Sequence, residues 1–186
     1  MLELDTKTAA LILVDLQKGI VGLPLAPHSG ADVFALGIQL AGRFRAVGAP
    51  VVRVRVDFGP NGAYGPPGKV DAAHTHGPLP PDFADFPDDP AAQGDFIVTK
   101  RHWGAFHGTD LDLLLRRRGV RTVVIGGIAT NIGVESTARS AHEHSYDVVL
   151  VEDATTGLEA EMHEFAFSKI FPRLGRVVKT ADLLLT

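Results

Sequence analysis

The sequence predicts an α/β domain, a parallel sheet held between two layers of helices. Two observations predict it. Short apolar runs rich in Val and Ile recur at residues 9–14, 51–56, 96–98, 122–125, 148–151 and 176–178, and between most of them lie segments of helical periodicity at 31–47, 111–118, 132–144 and 158–171. An unbroken apolar run marks a strand buried on both faces, and strands alternating with helices form right-handed crossovers in a parallel sheet. The expected architecture is three-layer α/β/α. A length of 186 residues suits one domain with one substantial core, residues 1–186.

Local signals support the individual elements. Thr109 can cap the helix that follows it, with Asp110 and Asp112 in the first turn, Arg116, Arg117 and Arg118 in the last, and Gly119 just beyond. The stretch 60–90 breaks the pattern. It contains eight of the twelve prolines and no sustained periodicity. Proline at that density blocks helix interiors and central strands, so this is a Pro/Gly-rich excursion, a lid or interface loop instead of a second domain.

Composition narrows the function classes. Hydrophobic residues make up 45% and charged residues 22%, with a formal net charge of -4. No basic cluster exceeds Arg116-Arg117-Arg118, which argues against a nucleic-acid partner. The first residues, "MLELDTKTAALILVDLQKG", are acidic where a signal peptide would be basic, and their apolar run has the length of a buried strand. A cytoplasmic protein with no membrane partner is expected. The chain has no cysteine, which excludes disulfides, thiolate metal sites and cysteine nucleophiles.

Ligands of open parallel sheets sit beyond the carboxyl ends of the strands, near the point where strand order reverses. That rule selects Asp15 and Gln17, the run Lys100 to Phe106, and the elbow "GGIATNIG" ending at Gly133. Asp15 emerges from a buried strand, and burial with an ammonium partner can poise a carboxylate for proton transfer; a helix cap is the other reading. Lys100 occupies the equivalent place on its strand, where an ordinary exposed lysine is the alternative. At the elbow, a helix starting near Asn131 would aim unpaired N–H groups at the strand end, forming an oxyanion cradle, and Gly133 would allow close approach. Equally, Asn131 can be only a cap and Gly133 a relief of crowding. Trp103 and Phe106 can wall a substrate pocket or pack in the core. The His74/His76 pair lies in the excursion with no convincing third ligand, so neither metal nor cofactor is expected.

Taken together, "LILVDLQKG", "VTKRHWGAFHGTDL", "GGIATNIGVESTARSA" and "YDVVLVEDAT" resemble the isochorismatase-like hydrolase superfamily in order and spacing from about Ala9 to Thr155, with "RVVKTADLL" as the last strand and helix. The resemblance implies a six-stranded parallel sheet, a homo-oligomer such as a dimer or tetramer, and a cis peptide at Ile128-Ala129. It maps the family's Asp, Lys and Cys triad onto Asp15, Lys100 and Gly133, with the amides of Ala129 and Gly133 as the oxyanion hole and Gln17, Trp103, Phe106, Thr130 and Asn131 about the substrate. Glycine at 133 rules out the thiol-ester route of the family's amidohydrolases. Asp57 is followed by Phe58 and Gly59, so the nicotinamidase metal pattern is absent. Isochorismatases also carry glycine at the elbow and hydrolyse a vinyl ether by protonation and water addition. They have an aromatic residue where this chain has Ala129 and a histidine where it has Asn131, which implies a different substrate, with Arg53 or Arg55 left to recognise any carboxylate. The resemblance thus favours a nucleophile-free hydrolase of a small molecule acting at a vinyl ether or C–N bond. The competing reading is a non-catalytic binder of the same fold, and Thr130 as a replacement nucleophile is a third.

Overall fold

The computed structural model describes residues 1–71 and 78–186. It contains strands β1 (Leu2–Leu4) and β2 (Ala9–Val14), helices α1 (Lys18–Val21) and α2 (Gly30–Ala46), strands β3 (Val51–Val56) and β4 (Phe96–Lys100), helix α3 (Leu111–Arg117), strand β5 (Thr122–Ile128), helix α4 (Glu135–Glu143), strand β6 (Asp147–Thr156), helices α5 (Ala160–Phe165) and α6 (Phe171–Leu174), and strands β7 (Arg176–Val178) and β8 (Leu183–Leu185). Six strands form one parallel sheet in the order β4-β3-β2-β5-β6-β7. The chain builds outward from β2 through β3 to β4, then returns to place β5 on the other side of β2. The switch point is therefore between β2 and β5.

Each face of the sheet buries its own core. On one side Ile12, Val54, Val123 and Ile125 pack under Leu111 and Leu115 of α3, Ala138 and Ala141 of α4, and Phe171 of α6. On the other, Leu11, Leu13 and Val124 meet Val33, Leu40 and Phe44 of α2. Burying a side chain such as Phe44 or Leu11 stabilises the fold by roughly 1.5–3 kcal/mol each relative to leaving it exposed. Ser29 caps α2 by accepting from the Asp32 N–H at 3.1 Å; at α3 the cap position is Asp110 instead of the expected Thr109, which lies one residue earlier and accepts from the Leu111 N–H at 3.2 Å.

The structure adds elements that the pattern missed. β1 and β8 pair in parallel as a separate two-stranded ribbon, reinforced where Arg43 of α2 donates to the carbonyls of Thr180 and Leu183. β6 is longer than its apolar core: Ile125 pairs with Leu150 but Gly127 with Thr155, so the β6 segment from Val151 to Ala154 bulges opposite a single residue of β5. The helical segment expected at 158–171 is broken by a wide turn at Ala166–Ile170, with Pro172 in the turn that follows. In the Pro/Gly-rich excursion, the described residues contain only short turns, at Pro60–Gly62, at residues 81–84 and at Pro90–Ala92. His74 and His76 lie outside the described residues.

At Gly127, β5 lies close against the end of β2. This glycine has φ of 123°, and a Cβ there would lie 2.1 Å from the Val14 carbonyl oxygen, a backbone atom that cannot swing aside. Gly127→Ala is expected to destabilise the protein by at least about 3 kcal/mol through this backbone collision. By contrast Gly42→Ala, on the exposed face of α2 with nothing within 4 Å of the new Cβ, is expected to stabilise it by about 0.5–1 kcal/mol. Chemical denaturation of both variants checks the pair.

Candidate active site

The end of β2, the end of β4 and the elbow after β5 meet at the switch point. Asp15 directly follows β2 with a left-handed backbone (φ 53°), a region Asp tolerates better than most residues. Lys100 is the last residue of β4, and its Nζ lies 2.7 Å from Asp15 Oδ2. Both are interior: Asp15 is 4% exposed and Lys100 2%. Lys100 also donates to the His102 carbonyl at 3.2 Å, which fixes the ammonium between the carboxylate and the loop it leads into.

Removal from water pushes the Asp15 carboxyl up to about 6, with the Lys100 ammonium opposing that rise by charge and hydrogen bond. Only Oδ2 is engaged by the lysine. Oδ1 is buried with no hydrogen-bond partner among the described residues, leaving one oxygen able to carry or pass a proton.

Gly133 stands directly against this pair. A Cβ built on it would lie 3.2 Å from Asp15 Oδ2, 3.2 Å from Val14 Cγ1 and 3.5 Å from the Ile128 carbonyl oxygen. The position mapped to the nucleophile thus points at the carboxylate, and glycine leaves that space to a ligand atom or a water. The elbow itself begins with a cis peptide between Ile128 and Ala129. A wide turn at Thr130–Val134 follows, in which the Ala129 carbonyl accepts from both Ile132 and Val134 at 3.1 Å. The expected helix start near Asn131 is therefore a wider turn, and α4 proper begins at Glu135. The N–H groups of Thr130 and Asn131 have no acceptor among the described residues, and the Asn131 side chain caps nothing.

Other expected residues have different surroundings. The Gln17 carboxamide is consumed by backbone: Nε2 donates to the carbonyls of Val56 (3.0 Å) and Phe83 (2.9 Å), and Oε1 accepts from the Val56 N–H at 2.8 Å. It ties the ends of β2 and β3 to the excursion. The Thr130 hydroxyl and His163 Nδ1 share a hydrogen bond of 2.8 Å, so the partner of this hydroxyl is that imidazole and not Asp15. Phe106 stacks on His144 and packs near Tyr146 within the core, whereas Trp103 is 61% exposed. The Arg53 guanidinium lies 4.0 Å over the Phe86 ring, and Arg55 donates to Thr99 and to the Ala84 carbonyl. Asp57 is paired with Arg101 at 2.8 Å.

One residue not anticipated couples two parts of the site. The Thr137 hydroxyl donates to the Gly133 carbonyl at 2.7 Å and accepts from the Ala105 N–H at 3.1 Å, joining the elbow to the loop that follows Lys100. Its signal in sequence was only a threonine one turn beyond the elbow glycine.

A parallel sheet with an acid at its switch point, a lysine at the end of its edge strand β4 and an amide-rich elbow defines an isochorismatase-like α/β hydrolase fold. The family model for the Isochorismatase domain matches residues 9–182, and the chain belongs to that family. It is 44% identical to the uncharacterised isochorismatase family protein YecD of Escherichia coli O157:H7 over 99% of this chain and 98% of that one. Among solved structures, an isochorismatase family protein from Burkholderia thailandensis superposes with a TM-score of 0.89 at 46% identity, covering 95% of this chain and 94% of that one. The N-carbamoylsarcosine amidase of Thermoplasma acidophilum has a TM-score of 0.74 at 26% identity, covering 94% and 98%.

The linkage of the carboxyl to stability has a definite sign. Because the native state holds the Asp15 proton more tightly than the unfolded chain, this group's contribution to stability falls as pH rises from 3.8 through about 6. Lys100→Met removes the opposing ammonium and is expected to move the Asp15 titration above that value, carrying the stability loss to higher pH. Carboxyl NMR of Asp15 and melting curves across pH check both shifts.

Proposed function

We propose that the protein is a hydrolase of a small molecule, cleaving a vinyl ether or C–N bond with Asp15 as proton donor and water as nucleophile, without a covalent enzyme intermediate. The observation that carries this reading is the interior Asp15–Lys100 pair set against a glycine. A binder has no need of an ion pair whose desolvation opposes folding, and a covalent route has no thiol to use.

In this mechanism the protonated Asp15 gives its proton to the substrate, either at the enol carbon or at the departing nitrogen. The oxygen of a water bonds to the electrophilic carbon and one proton of that water returns to Asp15; the C–O or C–N bond then breaks, and for the vinyl ether the water's second proton passes to the departing alkoxide oxygen as the carbonyl forms. Lys100 stabilises the carboxylate formed in between. The amides of Ala129 and Gly133 stabilise negative charge developing on the substrate, a contribution worth about 2.7–4 kcal/mol per donor in other hydrolases. The likeness to N-carbamoylsarcosine amidase supports hydrolysis at a C–N bond on this scaffold, and Asn131 and the exposed Trp103 are the residues left free to contact substrate. Thr137 keeps the elbow and the Lys100 loop in register. The same reading has the protein acting in the cytoplasm as a dimer or tetramer. Among the described residues, no helix is long and apolar enough to cross a membrane.

The test is a screen of purified protein against isochorismate, other enol ethers and small amides, following release of pyruvate or ammonia. Asp15→Asn is expected to lower the rate on the accepted substrate by about 10²–10⁴-fold. Because the acid form is the active one, kcat/KM of the wild type should fall above pH about 6, by about tenfold per pH unit. Equal rates for wild type and Asp15→Asn on every substrate would refute the mechanism and favour the non-catalytic binder.

A further inference from the structure

A second cluster of chemically capable side chains lies outside the Asp15 site. His28, from the loop between α1 and α2, and His163, from α5, both approach Glu152 in the bulge of β6. His28 Nε2 is 3.3 Å and His163 Nε2 3.5 Å from the same oxygen, Glu152 Oε1. The three candidate donor atoms all lie within 4.8 Å of one another. For a tetrahedral ion bound at about 2.0–2.2 Å, donor atoms are roughly 3.3–3.5 Å apart. Both short edges of the cluster match that spacing.

The state of His163 is the second observation. It is 3% exposed, and its Nε2 has no hydrogen-bond partner among the described residues. Its Nδ1 is engaged by the Thr130 hydroxyl at 2.8 Å. With the ring proton on Nδ1 donated to that hydroxyl, the Nε2 lone pair is left free toward the cluster, the arrangement by which outer partners orient metal-binding imidazoles. His28 is fixed too: its N–H donates to the Thr156 hydroxyl at 3.2 Å, and that hydroxyl donates to the His28 carbonyl at 2.8 Å. The two imidazole planes are perpendicular, with centroids 5.6 Å apart. Two further charges bear on the cluster: the exposed Lys179 ammonium lies 3.7 Å from the other Glu152 oxygen, Oε2, leaving Oε1 to the imidazoles, and Glu164 lines the adjoining cavity.

A cavity of about 420 Å³ lined by Pro27, Glu152, Ala160, His163 and Phe167 opens beside these atoms. We propose that His28, Glu152 and His163 bind a zinc-class divalent cation through two imidazole nitrogens and one carboxylate oxygen, with a fourth position open to this cavity. Imidazole donors select zinc and its first-row neighbours over magnesium or calcium. The expectation of no metal came from contiguous patterns, and here His28 and Glu152 are 124 positions apart. The ion would tie α5, β6 and the loop before α2 together, and through Thr130 it would bear on the elbow.

The experiment titrates chelator-treated full-length protein with Co²⁺ and then Zn²⁺. One equivalent should bind per chain, with the intense visible bands of tetrahedral cobalt lost on zinc addition and a melting temperature raised by zinc. His28→Ala and Glu152→Gln, each checked for fold by circular dichroism, are expected to weaken binding at least about tenfold. The His74→Ala/His76→Ala double variant should bind as the wild type does. Absence of stoichiometric binding, unchanged affinity in His28→Ala and Glu152→Gln, or loss of binding in the His74/His76 variant would each overturn the proposal.

Discussion

The structure turns on one buried ion pair. Asp15 and Lys100 come from strands separated by β3, and their charges meet at 2.7 Å in the interior. Removing either partner strands the other, at a cost of about 3–5 kcal/mol where an uncompensated charge remains. The pair therefore constrains how β2, β3 and β4 end relative to one another. It also concentrates the chemical potential of the fold, since burial raises the carboxyl while the ammonium holds it within the range useful for proton transfer.

Much of the surrounding architecture serves to bring the elbow to that pair. Gly127 lets β5 lie against the end of β2, the wide turn after Ala129 carries the backbone around, and Thr137 fastens the turn to the Lys100 loop. Gln17 does the same for the excursion through Phe83. These are backbone-directed bonds made by side chains, and among the described residues they leave Asp15 Oδ1 and the elbow amides of Thr130 and Asn131 without partners. A glycine at 133 is then no defect in the elbow. It is the residue that keeps space beside the carboxylate.

The sheet was legible in the sequence because buried parallel strands are continuous apolar runs, and all six strands of the sheet begin within a residue of their predicted starts. Asp15, Lys100 and the elbow glycine were legible for a related reason: a polar residue ending an apolar run marks a strand's carboxyl end. What escaped depended on distant partners. The three-residue strands β1 and β8 are defined by each other across the whole chain. Gln17 looked available for substrate, but its partners Val56 and Phe83 lie 39 and 66 positions away. The β6 bulge was hidden because Glu152 and Asp153 read as the end of a strand. Asp153 instead accepts from Thr180, and Glu152 turns toward two histidines.

The central claim is that Asp15 acts on whatever occupies the space over Gly133, and a thiol placed there reports on it. In Gly133→Cys protein, the rate of alkylation by iodoacetamide can be measured against pH with Asp or Asn at position 15. The account predicts that the thiol's reactivity profile shifts when Asp15 is replaced by Asn, because the new side chain touches that carboxylate. Superimposable profiles in the two backgrounds would contradict it.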